Sequence, residues 1–368
     1  MNFDLSDEQK MLSDQVSRLL VERSPPDRLR QLIETQASWD EPLWRELAGL
    51  GILGTTIPEE FGGLGLSTLE LAVIVQALGR AAASTPFMPS IGLAAELIRR
   101  AGSEDQKARW LPGLATGELI GTFAYAEPGL GAWQSHPGVG VRNNLLSGTK
   151  LPVADLSIAD IAVVSCVRDG DLSLAVVDLA HPRVSRSPLV SFDPLKPQGR
   201  LVLDEVPFEL LDSTDVALTL ELVKNQAAVL TSFEQIGGAE ACLYMARDYT
   251  LGRGVFGRPL ASYQAVKHKL ADIYVLTELA RSNALFAAWA AVNETSDLES
   301  AAAAAHLAAS DAFELAARDN LQLHGGIGYT FEANCHFHYR RERLLSVVLG
   351  GRGFWREQLI SALPEQAA

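Results

Sequence analysis

Cys335, His336 and His338 stand close enough in the chain to suggest a metal site. Adjacent and i+2 side chains diverge on a helix, and no fourth ligand stands nearby, so the spacing argues against one and no metal is expected. Arg253 lies between Gly252 and Gly254, just ahead of Phe256-Gly257, with Gln264 following. A guanidinium is a fixed charge carrying a planar fork of donors, suited either to a helix carboxylate at the surface or to a phosphate-type anion. Gln322-Leu323-His324-Gly325-Gly326-Ile327-Gly328 is a helix-breaking turn whose glycines let another backbone approach closely. Gln264 and Gln322 could equally cap or bridge helices.

These residues must be positioned by a chain of 368 residues with 31 Lys+Arg against 45 Asp+Glu, a net charge of −14. An apolar share of 48% and a charged share of 21% suit a folded protein and exclude a disordered tail or a fibre. So negative a chain repels phosphate backbones, and no basic run exceeds Arg340-Arg341, so no nucleic-acid partner is expected. Cys166, Cys242 and Cys335 form no disulfide framework. The opening MNFDLSDEQKML carries acids where a signal peptide needs a basic stretch, and no apolar run is long enough for a membrane span. The expected location is cytoplasmic, with no membrane partner.

From Ser6 to about Gly117 apolar residues recur at helical spacing. Ser6/Gln9 and Ser103/Gln106 have the spacing of capping boxes, and breaks are expected at Pro25-Pro26, Ile57–Gly63, Pro86 and Pro89. Between about Leu119 and Leu211 the texture becomes β-branched, with Ile161–Val167 and Leu172–Asp178 joined by an Asp-Gly turn as a hairpin. Gly148-Thr149-Lys150 and Gly199–Leu203 read as further strand entries. From Asp215 to about Ile360 three long helical segments, broken near Gly252–Pro259, Asn293–Asp297 and Gly325–Asn334, are followed by a fourth. The pattern predicts an α+β, mostly α chain in three domains. These are an N-terminal helical domain over 1–118, a β-barrel-like domain over 119–213 and a C-terminal four-helix bundle over 214–368. Leu279, Leu285, Phe286 and Ala287–Ala291 carry more apolar surface than such a bundle takes in, which predicts contact with other subunits as a dimer of dimers.

Pro58-Glu59-Glu60-Phe61-Gly62-Gly63, Ala126-Glu127-Pro128-Gly129-Leu130-Gly131, Arg253–Gly257, Gln264 and Gln322–Gly328 stand in an order and spacing that resembles the acyl-CoA dehydrogenase family, over essentially the whole chain. The resemblance implies that family's fold and an α,β-dehydrogenation, in which a glutamate takes the α-proton of an acyl-CoA and the β-hydride passes to FAD. That chemistry needs a carboxylate base, polar groups around the flavin ring and a pocket for the thioester.

Several of these needs are not met. The commoner base position falls on Leu349, and the alternative one, on the first bundle helix, falls on Ala227, followed by Ala228 where an arginine is usual. No catalytic residue is therefore expected in this chain. Glu234 and Glu240 lie roughly two and nearly four turns beyond Ala227, too far along the helix to serve one substrate carbon. At positions where the family bonds or packs the flavin ring stand Ala126, Ala132, Pro152 and Ala154, and Gly350-Gly351-Arg352-Gly353 replaces a segment with two side-chain donors. Each ring group left unpaired would cost about 1–3 kcal/mol. The resemblance assigns Arg253, Phe256, Gln264, Gln322, Gly325 and Gly326 a different role, that of holding the pyrophosphate and adenosine of a neighbour's FAD.

This asymmetry is similar to the non-catalytic subunits of heteromeric acyl-CoA dehydrogenases of steroid side-chain or pimeloyl-CoA degradation. It implies a heterotetramer, an FAD shared with a paralogous subunit that carries the catalytic glutamate, an acyl-CoA substrate at the complex, and electron-transfer flavoprotein as acceptor. Two other readings stand beside it. One is a self-sufficient homotetrameric dehydrogenase or oxidase with an unrecognised base; the other is a non-enzymatic relative.

Overall fold

The computed structural model describes residues 5–37, 39–129, 133 and 136–363; Ala132 lies outside the described residues. Helix α1 (Asp7–Arg23) opens on the expected capping box, in which Ser6 Oγ accepts the Gln9 amide and Gln9 Oε1 accepts the Ser6 amide at 2.8 Å. Helices α2 (Pro26–Glu34), α3 (Glu41–Gly49), α4 (Thr68–Arg80), α5 (Glu96–Ala101) and α6 (Glu104–Thr116) follow, the last on the second capping box, from Ser103 and Gln106. Pro89 does not end a helix, contrary to expectation. It sits in the first turn of a helical run that widens over Met88–Ala95 and continues into α5, where its missing N–H leaves no bond unmade.

The middle of the chain forms an eight-stranded mixed sheet. Its strands are β1 (Gly121–Ala124), β2 (Gly140–Arg142), β3 (Leu145–Ala154), β4 (Ile161–Arg168), β5 (Asp171–Asp178), β6 (Val184–Leu189), β7 (Gln198–Val206) and β8 (Glu209–Leu210). They are ordered β6-β7-β3-β2-β4-β5-β8, and β1 runs parallel to β4. The expected hairpin is present: β4 and β5 pair in unbroken register, and Asp169 and Gly170 turn between them at φ +54° and +95°, the two left-handed residues that a tight hairpin turn requires. Gly148, Thr149 and Lys150 in β3 pair with Leu203, Val202 and Leu201 in β7, and Gly199 pairs with Val153 beyond a shift in register.

Beyond the sheet come α7 (Val216–Gly252), a hairpin of β9 (Gly254–Val255) and β10 (Arg258–Pro259), α8 (Gln264–Val292), α9 (Leu298–His324), α10 (Cys335–Leu345) and α11 (Arg352–Ala362). The fourth helical segment is thus two 11-residue helices, because the chain passes through Gly350 at φ +108° between them.

The residues gather into two compact units. One comprises Met1–Arg28, Thr68–Ala83 and Ala228–Ala368. In it α4 and α7 cross on Gly79 and Gly237, where a Cβ would lie 2.1 Å from the Glu234 carbonyl oxygen and 2.0 Å from that of Gln76. Ala239, Cys242, Ile273, Phe313, Ala316 and Leu345 fill its core. The other comprises Leu29–Ser67 and Ser84–Ala227, with the sheet interior (Phe123, Val163, Leu174, Val177, Leu201) fully or almost fully buried.

Candidate functional site

The residues expected to face a nucleotide lie at one end of the helices of the first unit. Arg253 follows directly after α7; its amide donates to the Tyr249 carbonyl at 2.9 Å and its carbonyl accepts from the Leu260 amide at 2.7 Å, while its side chain is exposed. Phe256 and Gly257 form the turn of the β9–β10 hairpin at φ +51° and +79°, and Phe256 is 95% exposed. Gln264 opens α8 and Gln322 lies in the last turn of α9, both exposed, as are Gly325 and Gly326 just beyond. The helix ends are brought together by a small core of Ala246, Val266 and Leu323, joined by Leu260 and Tyr263. Tyr249 and His324 stack across the ends of α7 and α9 with centroids 4.1 Å apart, and His324 Nδ1 donates to the Asn320 carbonyl at 2.8 Å.

The two base positions carry no titratable group. Leu349 is 2% exposed in the link between α10 and α11, and Ala227 is buried within α7. The carboxylates further along α7 are committed elsewhere. Glu234 accepts from Arg341 Nη1 at 2.9 Å with both side chains buried, and Arg341 also donates to the Ala82 and Ala83 carbonyls. Glu240 is shared by Arg80, Arg281 and Gln76. Such pairs occupy the carboxylate oxygens and remove the freedom a general base needs.

A cavity of about 230 Å³ opens beside the same link, lined by His306, Ser310, Glu314, Glu342, Arg343 and Arg352. Its charges satisfy one another: Arg352 pairs with Glu314 at 2.8 Å and with Asp311, and Arg343 with Glu314 and Glu342. Burial pushes the Glu342 carboxyl up despite Arg343. Among the described residues no group of three His, Cys, Asp or Glu is placed to hold a metal ion; Cys335 and His338 are buried, and His336 stacks on Phe331.

In the second unit, Ala126, Pro152 and Ala154 offer no side-chain donor. The polar groups beside them are already used. Lys150 is wholly buried, and its Nζ donates to Glu127 Oε1 at 2.7 Å, Ser165 Oγ at 2.9 Å and the Tyr125 carbonyl at 3.4 Å. Burial alone would raise Glu127, but Lys150 and the Gly138 and Val139 amides outweigh it and hold the carboxyl below its ordinary value. Burial pulls the Lys150 ammonium down, against the opposing pull of Glu127. Close by, a pocket of about 100 Å³ is walled by Phe123, Tyr125 and Trp133 and, from the first turns of α7, by Leu220, Glu221 and Lys224. The Tyr125 and Trp133 rings stack 4.7 Å apart.

Residues 6–118 match the acyl-CoA dehydrogenase N-terminal domain, and residues 223–363 match the acyl-CoA dehydrogenase C-terminal domain. The chain belongs to the acyl-CoA dehydrogenase family. The family comprises oxidoreductases that act on CH–CH groups. Acyl-CoA dehydrogenase IpdE2 of Mycobacterium tuberculosis is 33% identical to it over 336 residues, 91% of either chain. Among solved structures, the Tcur3481–Tcur3483 steroid ACAD is similar at a TM-score of 0.88 and 30% identity over 97% of each chain. The ChsE4–ChsE5 complex from Mycobacterium tuberculosis is similar at 0.91 and 27% over the full length of both.

Sequence reasoning passed over Tyr263, Tyr249 and the Glu221–Lys224 pair. Tyr263 immediately precedes Gln264, so its place in the motif was a usable signal. Nothing local marks Tyr249 as the partner of His324, which is distant in sequence.

Proposed function

We propose that this chain is a subunit of an FAD-dependent acyl-CoA dehydrogenase, that it lacks a base of its own, and that its Arg253–Gly326 surface completes the FAD site of a paralogous subunit carrying the catalytic glutamate. The observation that carries the reading is a contrast. Both base positions hold apolar side chains and the neighbouring carboxylates are locked in ion pairs, while the exposed end of α7, α8 and α9 keeps an uncommitted guanidinium, two glutamines and paired glycines. The donor set fits a flavin unevenly. Alanine, alanine and proline at Ala126, Ala154 and Pro152 give an isoalloxazine no side-chain donor, whereas Arg253 offers a pyrophosphate charge and a fork of donors.

When bound in the complex, FAD supplies the hydride acceptor. This chain's part would be to bind and orient: Arg253 would neutralise the pyrophosphate, Gln264 and Gln322 would offer side-chain donors, and Gly325 and Gly326 would leave room for close backbone approach. The proton is taken by the partner's glutamate. The likeness to a steroid ACAD and to the ChsE4–ChsE5 complex supports a heteromer with a steroid-type substrate; a steroid side chain or another bulky or dicarboxylic acyl-CoA as substrate, and electron-transfer flavoprotein as acceptor, are part of the same proposal. The domain division at 1–118, 119–213 and 214–368 and the cytoplasmic location belong to the same proposal; among the described residues no helix is long and apolar enough to cross a membrane.

Colour tests this reading. The chain purified alone is expected to be colourless, and co-expression with a glutamate-bearing paralogue to give an active yellow complex. A yellow, dye-reducing chain on its own refutes it.

A further inference from the structure

Phe256 holds a backbone conformation that non-glycine residues avoid, at the tip of a hairpin with almost no side-chain burial. Something else must keep that turn in place, and the contacts converge on Tyr263. Its hydroxyl donates to the Val255 carbonyl at 3.0 Å, on the strand entering the turn. The Arg258 guanidinium, on the strand leaving it, lies over the Tyr263 ring at 3.9 Å. Tyr263 is also the residue before α8, packed on the Ala246–Val266–Leu323 core, with Gln264 next in the chain. One side chain therefore touches both strands of the hairpin and fixes the start of the helix that presents Gln264.

We infer that Tyr263 is a positioning residue for dinucleotide binding, holding the Arg253–Gly257 hairpin in the geometry that receives a pyrophosphate. The inference rests on the proposed cross-subunit FAD site and adds to it the residue that pre-sets it. A preformed hairpin spares the ordering cost that a mobile one would incur on binding, so loosening it lowers affinity without removing any group that touches the nucleotide. The ring and the hydroxyl do separate jobs: the hydroxyl ties Val255, and the ring carries Arg258 and seals the core.

The test uses two measurements. In the purified chain without flavin, hydrogen exchange at the Leu260 and hairpin amides is compared between wild type and Tyr263→Phe, which removes only the hydroxyl. Loss of one hydrogen bond should speed exchange there by roughly 2- to 10-fold and leave α9 unchanged. In the complex with the glutamate-bearing paralogue, FAD retention on dilution should fall by a similar factor for Tyr263→Phe and further for Arg258→Met, with assembly and acyl-CoA KM unchanged. Faster exchange with unaltered FAD retention overturns the inference, as does unaltered exchange. Arg253→Ala in the same complex separates the two levels. If it releases FAD while Tyr263→Phe does not, only the positioning role fails; if neither does, the shared-site reading fails with it.

Discussion

Removing the Arg253 guanidinium is the most direct probe of the proposed role. The side chain is exposed and forms no ion pair among the described residues, so all its donors are available to an incoming anion. Its main chain is anchored on both sides, by the bonds to Tyr249 and Leu260, so Arg253→Ala keeps the loop and deletes only the charge. A charge-assisted contact to phosphate contributes about 1.5–3 kcal/mol, one to two decades in affinity. Solvent screening pulls an open site toward the lower figure, and exclusion of water at a subunit interface pulls toward the upper. Arg253→Ala should therefore give an assembled complex that loses FAD on dilution and regains activity with excess FAD. Arg253→Lys should recover part of the loss, since an ammonium lacks the planar fork. Flavin absorbance after gel filtration reads retention, and sedimentation reads assembly. A mutant complex that stays assembled and holds FAD as tightly as wild type refutes the reasoning.

Leu349→Glu should not create dehydrogenation in the isolated chain, because Ala126, Pro152 and Ala154 still give a flavin ring no side-chain donors; it should also destabilise the fold by burying an unpaired carboxyl, read by urea denaturation. Lys150→Met should cost about 3–5 kcal/mol, since among the described residues Glu127 would keep only the Gly138 and Val139 amides as partners. Because Glu127 is held below its ordinary value, its contribution is present above the unfolded carboxyl range and is lost as pH falls through the lower folded value. His306 acts in a different window. Burial, only partly opposed by a hydrogen bond with the Ala228 backbone, pulls it down to about 4, so the folded chain keeps it neutral where the unfolded chain protonates it. The penalty is absent above about pH 6.5, grows as pH falls toward 4, and reaches about 3 kcal/mol. His306→Phe should flatten stability over that range, and an unchanged pH profile would show that the site admits water or moves.

Periodicity made the order of helices, sheet and helices legible, because burial of one face repeats locally and leaves its mark in a short window. The Asp169-Gly170 hairpin and both capping boxes were equally readable, each being set by residues within a few positions. Two local expectations failed for local reasons: Pro89 falls where a helix needs no donor, and Gly350 divides a segment that apolar spacing alone makes continuous. The pairings at the candidate site were not legible. Glu234 and Arg341 are 107 residues apart, Glu240 and Arg80 are 160 apart, and Lys150 meets Glu127 only because β3 lies in the same sheet as β1. A glutamate's freedom to reach a substrate depends on such partners, so no reading of α7 alone could tell that Glu234 and Glu240 are engaged elsewhere.

The two halves of the site also differ in what stability alone can maintain. A leucine at the position of a buried base is favourable in itself, since it replaces a charge that must be desolvated by an apolar group that need not be. Its presence requires no partner and no function. Phe256 is the opposite case. A left-handed backbone at a non-glycine residue costs on the order of 1–3 kcal/mol, and with 95% of its surface in solvent the ring returns almost nothing to its own unit. The Tyr263 hydroxyl and the Arg258 stack work to hold that unfavourable turn, next to a guanidinium that forms no ion pair among the described residues. Local stability alone does not call for that turn, and the proposed cross-subunit role of Arg253 and its neighbours would supply the reason: a cation, an aromatic ring and open glycine backbone suit a nucleotide diphosphate.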